Sequence, residues 1–183
     1  MTKHKVYLSF GRHGRYGDDT AIMREDMLKS YIMGQNLHQI MPCCAAVYHS
    51  PLARAQQTAQ FQALGLDCAH LLECDFLHED CDKFSVRKFI NQLIINTAEN
   101  VSYYHMVTHQ PVVEKLGLPF LAAGEVCLLT AENWTEMLAD NFAVQVIKLP
   151  EITPEFWQKL DLTLAQLENL SAVEIYQKLQ GLS

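Results

Sequence analysis

Val6-Tyr7-Leu8-Ser9-Phe10 runs straight into Gly11-Arg12-His13-Gly14, and this junction decides how the rest of the chain is read. The apolar run has the length and composition of a buried strand. The glycines on both sides of Arg12-His13 let the backbone turn sharply and come close to a ligand. Arg12 supplies a permanent cation with forked donors, next to an imidazole that can attack an electrophile. Two later segments repeat the arrangement. His49-Ser50-Pro51-Leu52-Ala53-Arg54-Ala55-Gln56-Gln57-Thr58 follows Ala45-Ala46-Val47-Tyr48, and Thr108-His109-Gln110-Pro111 follows Tyr103-Tyr104-His105-Met106-Val107. Two arginines and two histidines therefore stand at the ends of apolar runs.

Outward from these junctions, apolar runs alternate with helical stretches. A first strand is read over 5–10 and a helix over 21–41, with Ile22, Met27, Tyr31, Leu37 and Ile40 at helical spacing. A second strand follows over 45–48, then a helix over 54–64 with Gly65 as its C-terminal stop. Leu71-Leu72 reads as a short strand, 85–99 as a helix, and 103–107 as a strand. A short helix over 112–116 follows Pro111, and strands follow over 126–129 and, at the sheet edge, 143–149. This alternation predicts an α/β fold: a three-layer α/β/α sandwich around a mostly parallel central sheet. After Pro150 the pattern changes. Residues 154–182 read as helical and amphipathic, through Phe156, Leu160, Leu164, Leu167, Leu170, Ile175 and Leu179, with no cluster suited to catalysis. The expected organisation is a catalytic domain over 1–150 and a C-terminal helical extension over 151–183, packed on that domain or on a partner subunit.

The apolar share of 49% and charged share of 19% are those of a globular protein that needs no staples, and no apolar run reaches a membrane span. The net charge of −7 argues against nucleic acid, whose phosphates demand a surplus of cations. Cys43, Cys44, Cys68, Cys74, Cys81 and Cys127 lack the paired spacing of a disulfide framework or a zinc knuckle. Reduced thiols, no metal and cytoplasmic residence are expected. His105 and His109 have the i, i+4 spacing of a helical metal pair, but Tyr103, Tyr104 and Val107 favour a strand there.

In open α/β sheets ligands sit beyond the carboxyl ends of the strands, where all four residues fall. His13, neutral at physiological pH, suits a nucleophile towards phosphorus. Arg12 and Arg54 suit the equatorial phosphoryl oxygens, with His109 as a further donor. Ser50, Arg15 and the start of the helix near Arg54 could complete the cradle. An acid must also protonate the leaving atom. The segment from Glu73 to Asp82 offers carboxylates in a loop, of which Glu79 is the first choice, with Asp75 and Asp80 behind it. Asp18 and Asp19, close after the first motif, would instead shape access.

Arg12-His13-Gly14, Ser50-Pro51-Leu52-Ala53-Arg54-Ala55-Gln56-Gln57-Thr58 and Thr108-His109-Gln110-Pro111-Val112-Val113, in this order, resemble the three blocks of the histidine phosphatase superfamily, also called phosphoglycerate mutase-like. Their short intervals look most like the small bacterial phosphohistidine phosphatases. The resemblance implies a phosphoglycerate mutase-like fold, His13 as the phosphorylated residue, and Arg12, Arg54 and His109 as the phosphate pocket, with no metal or organic cofactor. The Gly-x-Trp-Glu-Gly block that follows the acid in the family is missing around Leu77, and the smallest members have no counterpart of the C-terminal tail. The implied activity is hydrolysis of a phosphomonoester or phosphohistidine through a phospho-His13 intermediate. A mutase, or a silent phospho-ligand binder, would use the same pocket. The implied partner is a phosphorylated small molecule or phosphoprotein, with no nucleic acid or membrane; oligomeric state is left open.

Overall fold

A computed structural model describes residues 5–17, 20–41, 43–98 and 100–182. Along them run β1 (Val6–Arg12), α1 (Arg24–Ile40), β2 (Ala46–His49), α2 (Ala53–Gly65), β3 (Leu71–Glu73), a 3-10 turn (Asp75–Leu77), α3 (Lys83–Ile95), β4 (Tyr103–Thr108) and α4 (Gln110–Lys115). β5 (Val126–Ala131), α5 (Trp134–Leu138), β6 (Ala143–Ile147), α6 (Pro154–Leu160), α7 (Leu164–Glu168) and α8 (Ala172–Gln180) follow.

The strands form one sheet in the order β3-β2-β4-β1-β5-β6. β1, β2, β3 and β4 are mutually parallel, and β5 runs against both of its neighbours, β1 and β6. A mostly parallel sheet buried on both faces explains why β4 is buried at every residue and why β1 reads as a nearly unbroken apolar run. On one face Val6, Leu8 and Phe10 pack with Val86, Ile90 and Ile94 of α3, Val112 and Val113 of α4, and Met137 of α5. On the other, Val47, Tyr103 and Val107 pack with Met33 and Leu37 of α1 and Ala55, Ala59 and Ala63 of α2. The predicted three-layer arrangement is the observed one.

α1 and α2 approach closely because each carries a glycine at the crossing. A Cβ on Gly65 would lie 2.1 Å from the Tyr31 carbonyl oxygen, and one on Gly34 2.2 Å from that of Gln62. Gly65 is therefore not the helix stop the sequence suggested. It is the last helical residue, it is buried, and Leu66 caps the helix in a right-handed conformation. The left-handed residue comes later, at Asp67, with φ 54°.

Asp82 starts α3 two residues before the expected Ser85, by accepting hydrogen bonds from the amides of Phe84 and Ser85. The helix ends at Ile95, capped by Asn96, short of the expected end at Glu99, which itself lies outside the described residues. α5 was not foreseen: five residues are too few for a helical period, and its signal is the Asn133 cap, whose side chain accepts from the Glu136 amide. The expected continuous span after Pro150 is instead three short helices capped by Thr153, Thr163 and Ser171, with Asp161 in the left-handed region closing the first. Their apolar residues Leu160, Leu167, Ile175 and Leu179 pack on Met27, Leu28, Tyr31 and Phe61 of α1 and α2. Among the described residues no helix is long and apolar enough to cross a membrane.

Parallel pairing positions the site. Arg12 lies opposite Thr108 and His49 opposite Val107, so the residues that follow β1, β2 and β4, namely His13, Ser50 and His109, emerge along one edge of the sheet.

Candidate active site

The backbone around His13 is held from two sides. The His13 amide donates to the Thr108 carbonyl at 3.1 Å. The Gly14 amide donates to the Thr58 hydroxyl at 3.0 Å, and that hydroxyl donates to the Arg54 carbonyl at 2.8 Å. Thr58, one turn along α2, thus ties the first motif to the second.

His13 is buried, and its Nδ1 lies 2.8 Å from the Gly14 carbonyl oxygen. A carbonyl only accepts, so Nδ1 carries the proton and Nε2 keeps its lone pair. Nε2 in turn accepts from Nε of Arg54 at 3.2 Å. Burial lowers the pKa of His13 to about 4, with the charges of Arg54 and Arg12 acting the same way against the bond to Gly14. The imidazole is therefore neutral at neutral pH.

His109 sits beside it, with ring centroids 5.0 Å apart. Its Nε2 lies 2.8 Å from the Ser50 hydroxyl, while Nδ1 is buried without a hydrogen-bond partner and 3.8 Å from a Glu79 carboxylate oxygen. Burial first, then the neighbouring His13 once protonated and the Arg54 charge, lower its pKa to about 3. A neutral ring makes the approach to Glu79 a contact rather than an ion pair. Glu79 is instead paired with Arg54, whose Nη2 donates to it at 2.6 Å. Arg12 donates through Nη1 to the Leu121 carbonyl at 2.8 Å, and its Nε is buried without a partner. Tyr16 lies over the Arg54 guanidinium at 4.9 Å, and Phe120 over that of Arg12 at 5.8 Å. Leaving a buried polar group unsatisfied is destabilising by about 1–3 kcal/mol. Two such atoms, Arg12 Nε and His109 Nδ1, belong to this one pocket, which is what a site built to receive an oxyanion would keep.

Arg12, His13, Arg54, His109 and Glu79 are thus brought together. Ser50, read from sequence as part of the anion cradle, spends its hydroxyl on His109 and so orients that ring. Arg15, read in the same way, turns elsewhere: its guanidinium is held by buried Asp26 at 2.6 Å and by Glu25 at 3.3 Å. Asp26 was not foreseen, since a carboxylate in the first turn of a helix is an ordinary surface feature in sequence. Among the acid candidates, Asp80 is exposed and lies 3.6 Å from His78, and Asp75 lies in the 3-10 turn ahead of Glu79. Asp18 and Asp19 lie outside the described residues. Lys115 is a further unforeseen residue, donating to the carbonyls of Glu79 at 2.9 Å and Cys81 at 2.8 Å and so fixing the acidic loop. His105 is in β4, buried between Ser9 at 2.6 Å and Gln62 at 2.7 Å.

No protein-family model matches the chain, and no curated protein does. Solved structures share its fold. The protein histidine phosphatase SixA complexed with tungstate superposes with a TM-score of 0.66 at 18% identity, over 78% of this chain and 97% of that one. The mycobacterial glucosyl-3-phosphoglycerate phosphatase does so with a TM-score of 0.56 at 10% identity, over 81% of this chain and 100% of that one. The phosphoglycerate mutase of Plasmodium falciparum gives a TM-score of 0.53 at 17% identity, over 82% and 95%.

Proposed function

We propose that this chain, built on the fold that histidine phosphatases share with phosphoglycerate mutase, is itself a histidine phosphatase, hydrolysing a phosphomonoester or phosphohistidine through a phospho-His13 intermediate. The observation that carries the reading is the state of His13: neutral, its Nδ1 proton committed to Gly14, its Nε2 lone pair turned to Arg54. Nε2 attacks phosphorus while the bond to the leaving oxygen or nitrogen breaks. Arg12, Arg54 and the Nδ1–H of His109 take the three equatorial oxygens and stabilise charge that grows in the transition state. Ser50 supports that tautomer of His109 by donating to Nε2.

Glu79 serves as the acid that protonates the leaving atom and then as the base that takes a proton from water. Water attacks phosphorus, the N–P bond breaks, and phosphate leaves. Arg54 holds the Glu79 carboxylate, so an arriving phosphoryl group competes for that guanidinium and frees the carboxylate to take up a proton. The tungstate in the SixA complex is an oxyanion of the kind this pocket would hold. The proposal carries with it no metal or organic cofactor, cytoplasmic residence, a phosphorylated small molecule or phosphoprotein as partner, and residues 1–150 as the catalytic unit with 151–183 as its support.

Rapid alkaline quench with a phosphate-labelled aromatic monoester and a phosphohistidine peptide tests it. The expected result is free phosphate, together with an acid-labile, alkali-stable label on the peptide bearing His13; His13→Asn should stay folded and lose both. Turnover retained in the variant, phosphate binding without turnover, or return of the phosphoryl group to an isomerised product would each overturn the reading.

A further inference from the structure

We propose that Cys44 and Cys68 form a thiol pair that reduces a hydroperoxide and closes into a disulfide, at a site separate from the His13 pocket and independent of the phosphatase reading. The parallel register of β2 and β3 pairs Val47 with Leu71 and Tyr48 with Leu72. Cys44 and Cys68 each precede the paired Val47 and Leu71 by three residues, on the two segments that lead into these strands. The Cys68 thiol lies 3.4 Å from the Cys44 carbonyl oxygen, so the two residues are in direct contact, as a disulfide between them requires.

The chemistry of the two sulfurs is unequal. The neighbouring Cys44 holds the pKa of Cys68 below the usual thiol range, while that neighbour and then burial raise the pKa of Cys44. Cys68, and not Cys44, also lines the open hollow beside Tyr176, so Cys68 is the nucleophile and Cys44 the resolving thiol. Both are half-buried, and the hollow, formed with Gln60, Leu64, Asp67 and Tyr176, is the way by which a small peroxide can reach Cys68. Buried Cys74 and Cys127 have pKa values raised to about 11 by burial, which keeps them as inert thiols.

The reaction balances with a hydroperoxide as the oxidant. The Cys68 thiolate attacks the outer oxygen of ROOH; an S–O bond forms, the O–O bond breaks, and RO⁻ leaves to take up a proton. Cys44 gives up its proton and attacks the sulfur of the Cys68 sulfenic acid, forming the S–S bond as water leaves. Two electrons pass from the thiols to the peroxide.

The test treats the reduced full chain, folded, with a small excess of hydrogen peroxide, followed by digestion without reductant and mass spectrometry. Cleavage after Asp67 and Glu73 isolates Cys68 from Cys74 and Cys81. The expected result is a protein lighter by two hydrogens, restored by dithiothreitol, with Cys68 linked to the peptide bearing Cys43 and Cys44. In Cys43→Ser, whose exposed thiol has no part in the pair, the same link should form at the same rate. Loss of the link in Cys43→Ser, linkage of Cys68 to Cys74 or Cys81, or oxidation of other thiols while Cys68 stays reduced would overturn the proposal.

Discussion

Acidification from pH 7 to pH 5 should remove about 4–6 kcal/mol of this protein's folding stability, and the reason lies in three buried imidazoles. His13, His105 and His109 are held neutral, chiefly by burial, with pKa values lowered to about 4, 3 and 3. In the unfolded chain each returns to 6.5. Between 6.5 and about 4 the unfolded state binds more protons than the folded one, so stability falls as pH falls. A fully neutral imidazole contributes a slope of about 1.4 kcal/mol per pH unit once the solution is well below 6.5. Across the interval from 7 to 5 this integrates to about 2 kcal/mol each, full for His105 and discounted for the two rings that line the pocket, which gives the range above. Domains of this size are stable by about 5–15 kcal/mol in total, so the loss is a large share. The carboxylates held below their usual range, such as Glu25, titrate beneath the interval and do not mask it. Urea unfolding at pH 7, 6 and 5, with a constant slope m, reads the change directly. In His105→Gln the difference between pH 7 and pH 5 should shrink by about 2 kcal/mol, whatever the variant's stability at pH 7. Wild-type stability that differs by less than about 1 kcal/mol between the two pH values would refute the reasoning.

Two further outcomes follow from the geometry. Gly65→Ala gains about 1 kcal/mol of helix propensity, but its methyl would lie 2.1 Å from the Tyr31 carbonyl oxygen. Because the opposing atom is backbone and cannot swing aside, overpacking here reaches the upper end of the usual range of about 1–3 kcal/mol or exceeds it and outweighs that gain, so the melting temperature should fall by several degrees, and an unchanged or raised one would contradict the tight crossing of α1 and α2. Glu79→Gln should lower kcat/KM, which reports transfer of the phosphoryl group to His13, by about 10²–10⁴-fold for an alkyl phosphate and far less for a nitrophenyl ester, because a good leaving group needs no proton; equal losses in kcat/KM would exclude Glu79 as the acid.

The sheet was legible because strands covered on both faces announce themselves as apolar runs, and the four pocket residues because each stands directly after such a run or in the first turn beyond it. What the sequence hid depends on contacts between distant segments. Gly65 looks like a helix stop until Gly34 is seen facing it across the crossing. Arg15 looks free for an anion until Asp26 meets it from another element. Glu79 could be preferred to Asp80 but not separated from it, since neighbours in a loop differ only in where their side chains turn. Lys115 gave no signal, because a lysine that caps two carbonyls resembles any lysine on a helix.

The Thr58 hydroxyl fastens the turn that carries His13 to the turn that carries Arg54, so the imidazole and the guanidinium form a single mechanical part. The Glu79 carboxylate meets that part through Arg54, while its backbone is moored from another side by Lys115. Under the proposed function, changes in the acidic loop that spare Glu79 can therefore retune which leaving groups are served without loosening the grip on phosphorus, and a lineage built on this scaffold is free to wander in substrate while its reactive half stands still.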